Sequence, residues 1–202
     1  MADAGLLFAQ HDQRILDEIH KAELALRGTF RINLPMSFGM SHLSPLIAEF
    51  LSYHPALQFQ TALADRYVDV IGEGVDMAIR IGTLGDSTLI ALPLGELKRV
   101  ICCSPDSRQP AGTPQQPEAL LQHTCLRYGR EGQNGWELQV NGKAKWLAVQ
   151  GPMMSNNGEV LRDAALAGLG RVLLPAFIVE SALQRGELVT VRWTAASRHR
   201  SH

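Results

Sequence analysis

The sequence predicts an α/β fold built from two α/β segments, and three observations support this class. Strand-like and helix-like hydrophobic patterns alternate as β-α-β-α-β over residues 30–81, which is typical of a parallel sheet with crossover helices. Hydrophobic residues make up 46% of the 202 residues, enough for a substantial core. A polar turn that opens a helix occurs twice, near Ser37 and near Asn156. Two lobes with facing helix N-termini would enclose a ligand cleft.

Composition and charge exclude several other classes. The 19 Lys and Arg residues nearly balance the 20 Asp and Glu residues, so the chain lacks the basic excess of a free-standing nucleic-acid binder. The three cysteines are an odd number, which argues against a disulfide framework. The histidines are too scattered for a zinc site. No apolar run reaches the roughly 18 residues that span a membrane, and no secretory signal opens the chain. We therefore expect a cytoplasmic protein without a metal or cofactor.

The first predicted element is a helix over residues 3–27. Phe8, Ile15 and Ala22 are spaced by seven, with Ile19 and Leu26 between them, which forms an a/d stripe of about three heptads. The helix either packs on its own domain or pairs with a second chain.

The central stretch is a strand, a turn and a helix. Phe30, Ile32 and Leu34 alternate with polar residues, as in a strand. A helical face follows, formed by Leu43, Leu46, Ile47, Phe50 and Leu51. The helix N-terminus between them offers backbone N–H groups that suit a carboxylate. Ser37 either contributes to that site or, like Ser41 or Ser44, merely caps the helix.

Further elements follow in order. His54-Pro55 ends the helix, and we expect a strand over 57–63, a short helix over 66–73 ended by Gly74, a buried parallel strand over 75–81, and strands over 89–94 and 99–104. The proline-rich stretch 105–117 is the candidate domain boundary.

The second segment repeats the α/β pattern. A short helix begins at Pro117 and a strand covers 125–128. Asn141-Gly142 predicts a hairpin between strands 136–140 and 145–149, with Trp136 and Trp146 as a cross-strand pair. Ser155 or Asn156 then caps a helix that ends at residues 168–170, followed by a strand over 171–174, a helix over 177–183 and a strand over 188–193.

Few residues suggest catalysis. Cys102 and Cys103 are either a nucleophile or redox sensor, or two buried thiols on opposite faces of one strand. Arg80 either pairs with Asp76 or Asp86 or binds an anion. The candidate acids Asp65, Asp69 and Asp76 fall on different elements and form no acid/base couple. We expect that the chain is not an enzyme.

Short fragments over residues 3–193 have an order and spacing typical of one protein family. These fragments are GTFRI at 28–32, PMSFG at 35–39, LSPLIAEF at 43–50, YHP at 53–55, VDVIGEGVDMAIRIG at 68–82, DSTLIA at 86–91, CSP at 103–105, HTCL at 123–126, NNGE at 156–159, AGLG at 167–170 and LP at 174–175. Through these fragments the chain resembles the effector-binding region of LysR-type transcriptional regulators.

The resemblance implies two Rossmann-like subdomains of the type II periplasmic-binding-protein kind, with a ligand cleft between them. Residues 28–102 and 175–193 would form subdomain I, residues 103–174 subdomain II, and residues 194–202 a polar tail. Residues 1–27 would be the linker helix that pairs protomers, and the family's N-terminal winged helix-turn-helix is not in the sequence. The implied effector-contacting residues are Pro35, Met36, Ser37, Phe38, Ile81, Gly82, Thr83, Tyr128, Gly129, Asn156 and Asn157.

The function implied by the resemblance is effector sensing. A small molecule, we expect a carboxylate, would bind in the cleft and change how a homodimer or tetramer presents DNA-binding domains that are absent from this chain. Two alternatives share the fold: a cytoplasmic solute-binding protein and a small-molecule enzyme.

Overall fold

The computed structural model describes residues 28–66, 69–82, 87–108, 112, 114, 116–129, 135–140 and 142–191. The predicted helix over 3–27 and the polar tail over 194–202 lie outside these residues. The chain divides into two compact units, Met1–Glu96 and Leu97–His202.

The first unit contains a three-stranded parallel sheet in the order β2-β1-β3. Its strands are β1 (Gly28–Leu34), β2 (Leu57–Leu63) and β3 (Met77–Ala78). A continuous helical run joins β1 to β2 and comprises α1 (Met36–Phe38), a π-helical turn (Gly39–Leu43) and α2 (Ser44–Tyr53). The predicted strand, helix and strand over residues 30–63 are confirmed.

Alternation along β1 and β2 gives the sheet one apolar and one polar face. The Phe59 ring lies 5.7 Å from the Phe30 ring and 5.8 Å from the Phe50 ring, so α2 packs on the apolar face. On the polar face Arg31 Nε donates to Gln60 Oε1 at 3.1 Å. Burial of the apolar face holds α2 in place, because most helical stability in a protein comes from tertiary packing.

Three predictions after β2 differ from the structure. Residues 69–75 form a hydrogen-bonded turn, with the Glu73 N–H bound to Asp69 O at 2.8 Å, where the sequence predicted a helix. The predicted strand over 75–81 is only the two-residue β3. Residues 89–94 form no strand, and Ile90 is 93% exposed, so the apolar residues there find no partner strand in the described part of the unit.

The second unit contains a five-stranded mixed sheet in the order β10-β4-β9-β5-β8. Its strands are β4 (Arg99–Cys103), β5 (Cys125–Tyr128), β8 (Met154–Ser155), β9 (Arg171–Pro175) and β10 (Val189–Thr190). A separate hairpin pairs β6 (Trp136–Val140) with β7 (Lys143–Leu147). The helices are a 3₁₀ helix (Pro117–Gln122), α3 (Gly158–Leu166) and α4 (Ala176–Gln184).

Each face of this sheet carries its own hydrophobic cluster. Cys102 and Leu126 pack with residues of α3 and α4, whereas Cys103 and Cys125 pack with residues of the hairpin and the 3₁₀ helix. The prediction that Cys102 and Cys103 point to opposite faces is confirmed, as the two-residue period of a strand requires.

The predicted hairpin is confirmed, but the predicted cross-strand pairing of its two tryptophans is wrong. The register pairs Trp136 with Leu147 and Trp146 with Glu137. Trp136 is 3% exposed and Trp146 is 56% exposed, so the two rings lie on opposite faces. The observed register is shifted by one residue from a Trp–Trp match, and one residue is enough to reverse the face.

The sheet of the second unit joins distant parts of the chain. The second unit begins at Leu97, and β4 lies between β9 and β10. Residues 171–190 therefore supply both neighbours of β4, and Cys102 pairs with both Val172 and Thr190. The division into subdomains I and II that the resemblance implies stays a prediction.

No helix among the described residues is long and apolar enough to cross a membrane.

Candidate functional site

The predicted effector residues of the first unit lie at the carboxyl ends of two adjacent parallel strands. Residues 35–38 follow β1 and residues 81–82 follow β3, and the Ile79 N–H donates to Asn33 O at 2.9 Å. Ser37 is 4% and Phe38 is 8% exposed, whereas Ile81 is 42% exposed. Ligands of open α/β sheets bind at this end of the strands, so the local topology suits a binding site. Thr83 lies outside the described residues.

The start of the helical run is capped by a distant carboxylate and not by a serine. The Met36 N–H donates to Asp65 Oδ1 at 2.8 Å. Pro35, which occupies the N-cap position, makes no side-chain cap, and Ser44 lies within the helical run, as Ser37 and Ser41 do. The serine-cap prediction is therefore wrong. Asp65 follows β2 at the same edge of the sheet, and a carboxylate is favourable beside the positive end of a helix.

Ser41 and Gly39 shape the first turns of this helix. Ser41 Oγ donates to Ser37 O at 2.7 Å, a side-chain bond of the kind that bends a helix, and the run is π-helical from Gly39 to Leu43. A Cβ on Gly39 would lie 3.0 Å from Leu34 Cβ, so glycine allows the helix to approach β1 closely. Strand and turn are thus held in a compact arrangement around Ser37.

Arg80 lies at the same edge, and its predicted pairing with Asp76 is wrong. Its guanidinium donates to the Asn33 side chain and to Ala64 O, the latter at 3.5 Å. Asp76 instead accepts the Arg31 N–H at 2.7 Å. The predicted alternative partner, Asp86, lies outside the described residues. Arg80 therefore links the ends of all three strands and places a positive charge beside them.

The predicted residues of the second unit also lie together. Tyr128 pairs with Ser155 in the parallel β5–β8 ladder, and the Gly129 N–H donates to Ser155 O at 3.0 Å. Asn157 is the N-cap of α3, since its Oδ1 accepts the Val160 N–H at 3.0 Å. The predicted caps were Ser155 or Asn156. Asn156 is exposed next to this cap and is available to a ligand.

The thiols show no sign of activation. Cys102, Cys103 and Cys125 are buried, and burial raises the pKa of Cys102 and of Cys125 to about 12. A reactive thiol has a lowered pKa. The described residues contain no cluster of His, Cys, Asp and Glu side chains that could hold a metal ion.

Sequence reasoning missed the cap made by Asp65. The available signal was its position directly after β2, because the carboxyl ends of β1 and β2 meet at one edge of a parallel sheet. The predicted effector residues lie close together within each unit, and their contact with an effector stays a prediction.

A profile of the LysR substrate binding domain matches residues 25–202. The chain belongs to this family. An uncharacterized HTH-type transcriptional regulator of Haemophilus influenzae is 31% identical over 94% of the chain and 68% of its own length. The HTH-type transcriptional activator TtdR of Escherichia coli K12 is 34% identical over 89% of the chain and 58% of its own length. The chain thus spans about three fifths to two thirds of these relatives.

A solved structure supports the same fold. The regulatory domain of CrgA, a LysR-type transcriptional regulator from Neisseria meningitidis, superposes with a TM-score of 0.68 at 29% identity, covering 82% of this chain and 81% of that domain. The fold is therefore the type II periplasmic-binding-protein-like fold of LysR effector domains. The relatives are transcriptional regulators and not enzymes, so the LysR-type effector-binding domain is not an enzyme.

Proposed function

We propose that this LysR effector-binding domain binds a small carboxylate through both groups of residues, the first around Ser37 and the second around Asn156. The observation that carries the proposal is their shared placement. Within each unit the predicted contact residues follow adjacent parallel strands, where backbone N–H groups and hydroxyls suit an anionic ligand. The two groups would contact one effector in a cleft between the lobes, as the family resemblance implies.

A negative charge, on Asp65, and a positive charge, on Arg80, lie beside the first group of residues. Asp65 already accepts the Met36 N–H, so an effector carboxylate would bind beside Asp65 and contact the hydroxyl of Ser37. Arg80 offsets the negative charge of Asp65 at the same edge, where it contacts Asn33 and Ala64. The carboxylate of Asp65 repels an anionic ligand, and the positive charge of Arg80 attracts it. Arg80 would therefore favour anion binding at this edge.

The second group supplies polar contacts from a different element. Asn157 is committed to capping α3, whereas the neighbouring Asn156 is exposed. An amide side chain donates two hydrogen bonds and accepts through its oxygen, so Asn156 can bind a carboxylate or a hydroxyl of the effector. Half-buried Tyr128 would contact an apolar part of the ligand.

The function of the whole protein is proposed on the same basis. We expect a cytoplasmic regulator whose protomers form a dimer or tetramer and bind DNA through a helix-turn-helix domain, as the names of the relatives suggest. Effector binding would favour one arrangement of the protomers over another, which is a shift of population between existing states.

Calorimetry on site variants tests the contact residues. Ser37→Ala removes one hydroxyl without adding volume, and it should weaken binding of an identified carboxylate by about 10- to 100-fold, since a hydrogen bond to a charged group contributes ~1.5–3 kcal/mol. Ser52→Ala is the matched control, because the exposed Ser52 hydroxyl bonds only to Glu49 O within α2. Equal affinity of both variants would contradict the assignment of Ser37.

A further inference from the structure

A surface pocket in the second unit has no role in the proposed function. It has a volume of about 830 Å³. Its walls come from the end of the 3₁₀ helix, the start of β5 and the loop between β7 and β8. The lining residues are Leu121, Gln122, His123, Thr124, Arg127, Ala148, Val149, Gln150, Gly151 and Pro152. We call it the His123 pocket.

The His123 pocket is separate from the effector residues. It shares no residue with them, and Arg127 and Tyr128 are adjacent on β5, so their side chains leave opposite faces of the sheet. Arg127 lies on the face that carries Cys125 and the hairpin cluster, whereas Tyr128 packs with the cluster of α3 and α4.

The lining residues are partly polar and include one positive charge. Arg127 contributes a guanidinium, and Gln122, Thr124 and Gln150 contribute amide and hydroxyl groups. None of the ten lining residues is Asp or Glu. A site with this composition recognises an acceptor that bears negative charge.

Two buried polar groups at this pocket lack a hydrogen-bond partner. His123 is 8% exposed, and its Nδ1 is buried without a partner. Arg171 is 3% exposed and donates its backbone N–H to O of the lining residue Thr124 at 2.9 Å, and its side-chain Nε is also buried without a partner. Arg171 Nη2 donates a hydrogen bond to the carbonyl oxygen of Gly112 at 3.0 Å. Unsatisfied buried polar groups are costly and rare, so two at one place require a cause.

We propose that the His123 pocket binds a small oxyanion, a carboxylate or phosphate group, with Arg127 and His123 as its principal contacts. The anion would pair with the Arg127 guanidinium and would bind beside the buried charge of Arg171. Thr124 and Gln150, which bridge the two backbone segments of the pocket, would complete the polar contacts. The LysR domain would then carry an anion site on the face of the second unit opposite to Tyr128.

Amide chemical shifts in a ¹⁵N-labelled chain test the proposal, with inorganic phosphate and acetate as probes and chloride as the ionic-strength control. We expect saturable shifts at residues 123–127 and 148–151 with phosphate or acetate and none that saturates with chloride. Phosphate alone or acetate alone saturating would identify the preferred group. Linear shifts with both probes, or equal shifts with chloride, would overturn the proposal.

Variants make the test specific. Arg127→Gln should weaken the binding about tenfold, the usual effect of losing a charge-assisted contact, whereas Arg185→Gln removes a charge paired with Glu187 and should have no effect. His123→Asn provides a second variant if Arg127→Gln does not fold. Ser37→Ala should leave the phosphate-induced chemical shifts unchanged, because Ser37 does not line the His123 pocket. The test of the His123 pocket is therefore independent of the proposed effector site. Equal weakening by Arg127→Gln and Arg185→Gln, or loss of the shifts in Ser37→Ala, would contradict a specific, separate site.

Discussion

The carboxylate of Asp65 accepts a hydrogen bond from the backbone N–H of Met36 at 2.8 Å. This contact joins the carboxyl end of β2 to the first residue of α1, 29 positions earlier in the chain. The helix end that the sequence identifies as an anion site therefore already carries an anion from the protein itself. Under our proposal a carboxylate effector would bind beside Asp65, and the positive charge of Arg80 would offset that carboxylate.

Loss of this cap should destabilise the chain. Asp65→Ala is expected to lower the free energy of unfolding by about 1 kcal/mol, the usual effect of removing a side-chain cap. Urea denaturation measures this change. Glu49→Ala is the control, since it removes an exposed carboxylate from the middle of α2. A loss in Asp65→Ala no larger than in Glu49→Ala would show that the hydrogen bond contributes nothing to stability.

Gly39→Ala should also destabilise the chain, although alanine is the better helix former. The added Cβ would lie 3.0 Å from Leu34 Cβ and 3.2 Å from Leu63 Cδ2. Overpacking of this kind costs about 1–3 kcal/mol, more than the ~1 kcal/mol that alanine gains over glycine in a helix. Ser44→Ala, at an exposed position in the same helical run, should have little effect. A Gly39→Ala chain as stable as the wild type would argue against close packing of the turn on β1.

Patterns of neighbouring residues in the sequence predicted several strands, a helix and a hairpin. Alternation in β1 and β2, the helical period of α2 and the predicted pairing of two hairpin strands all correspond to observed elements. The placement of the predicted effector residues within each unit follows from the same patterns, because turns after parallel strands meet at one edge of the sheet.

Long-range pairing was not predictable in the same way. The two neighbours of β4 come from residues 171–190, which no local pattern around Arg99–Cys103 reveals. Residues 89–94 have the composition of a strand but pair with no strand among the described residues, and a strand without a partner does not form. The Asp65 cap depends on the β1–β2 register and was missed for the same reason.

Stability should fall at acidic pH through His123. Burial lowers the pKa of His123 below its usual value, and the positive charge of Arg171 lowers it further. The folded state therefore binds this proton more weakly than the unfolded state, in which the pKa is about 6.5. The resulting stability is present above that value and is lost as the pH falls through the pKa of the folded state.

Urea midpoints at pH 7.5 and pH 5.5 measure this dependence. The wild type should lose more stability between the two pH values than His123→Asn, and comparing each protein with itself removes the direct effect of the substitution. If His123→Asn loses as much as the wild type, other groups cause the acid sensitivity.

The thiols should be inert in the native protein. Because Cys102 and Cys125 are buried with a pKa of about 12 and Cys103 is also buried, an aromatic disulfide reagent at pH 8 should modify them only as the chain unfolds. In denaturant all three cysteines should react. Rapid reaction of one thiol in the native chain would contradict this prediction and support the redox-sensor alternative.

We propose that the chain senses a small carboxylate. The melting temperature of the chain, measured with a panel of small carboxylates, tests this proposal most directly. The matching neutral amides serve as controls. At 100 times its Kd a ligand adds about 2.7 kcal/mol of stability, which raises Tm by roughly 5–10 °C in a chain of this size, and the carboxylate should be recovered unchanged. We expect one or more carboxylates to give this shift and their amides to give none. Shifts with neutral compounds and none with any carboxylate would contradict the claim.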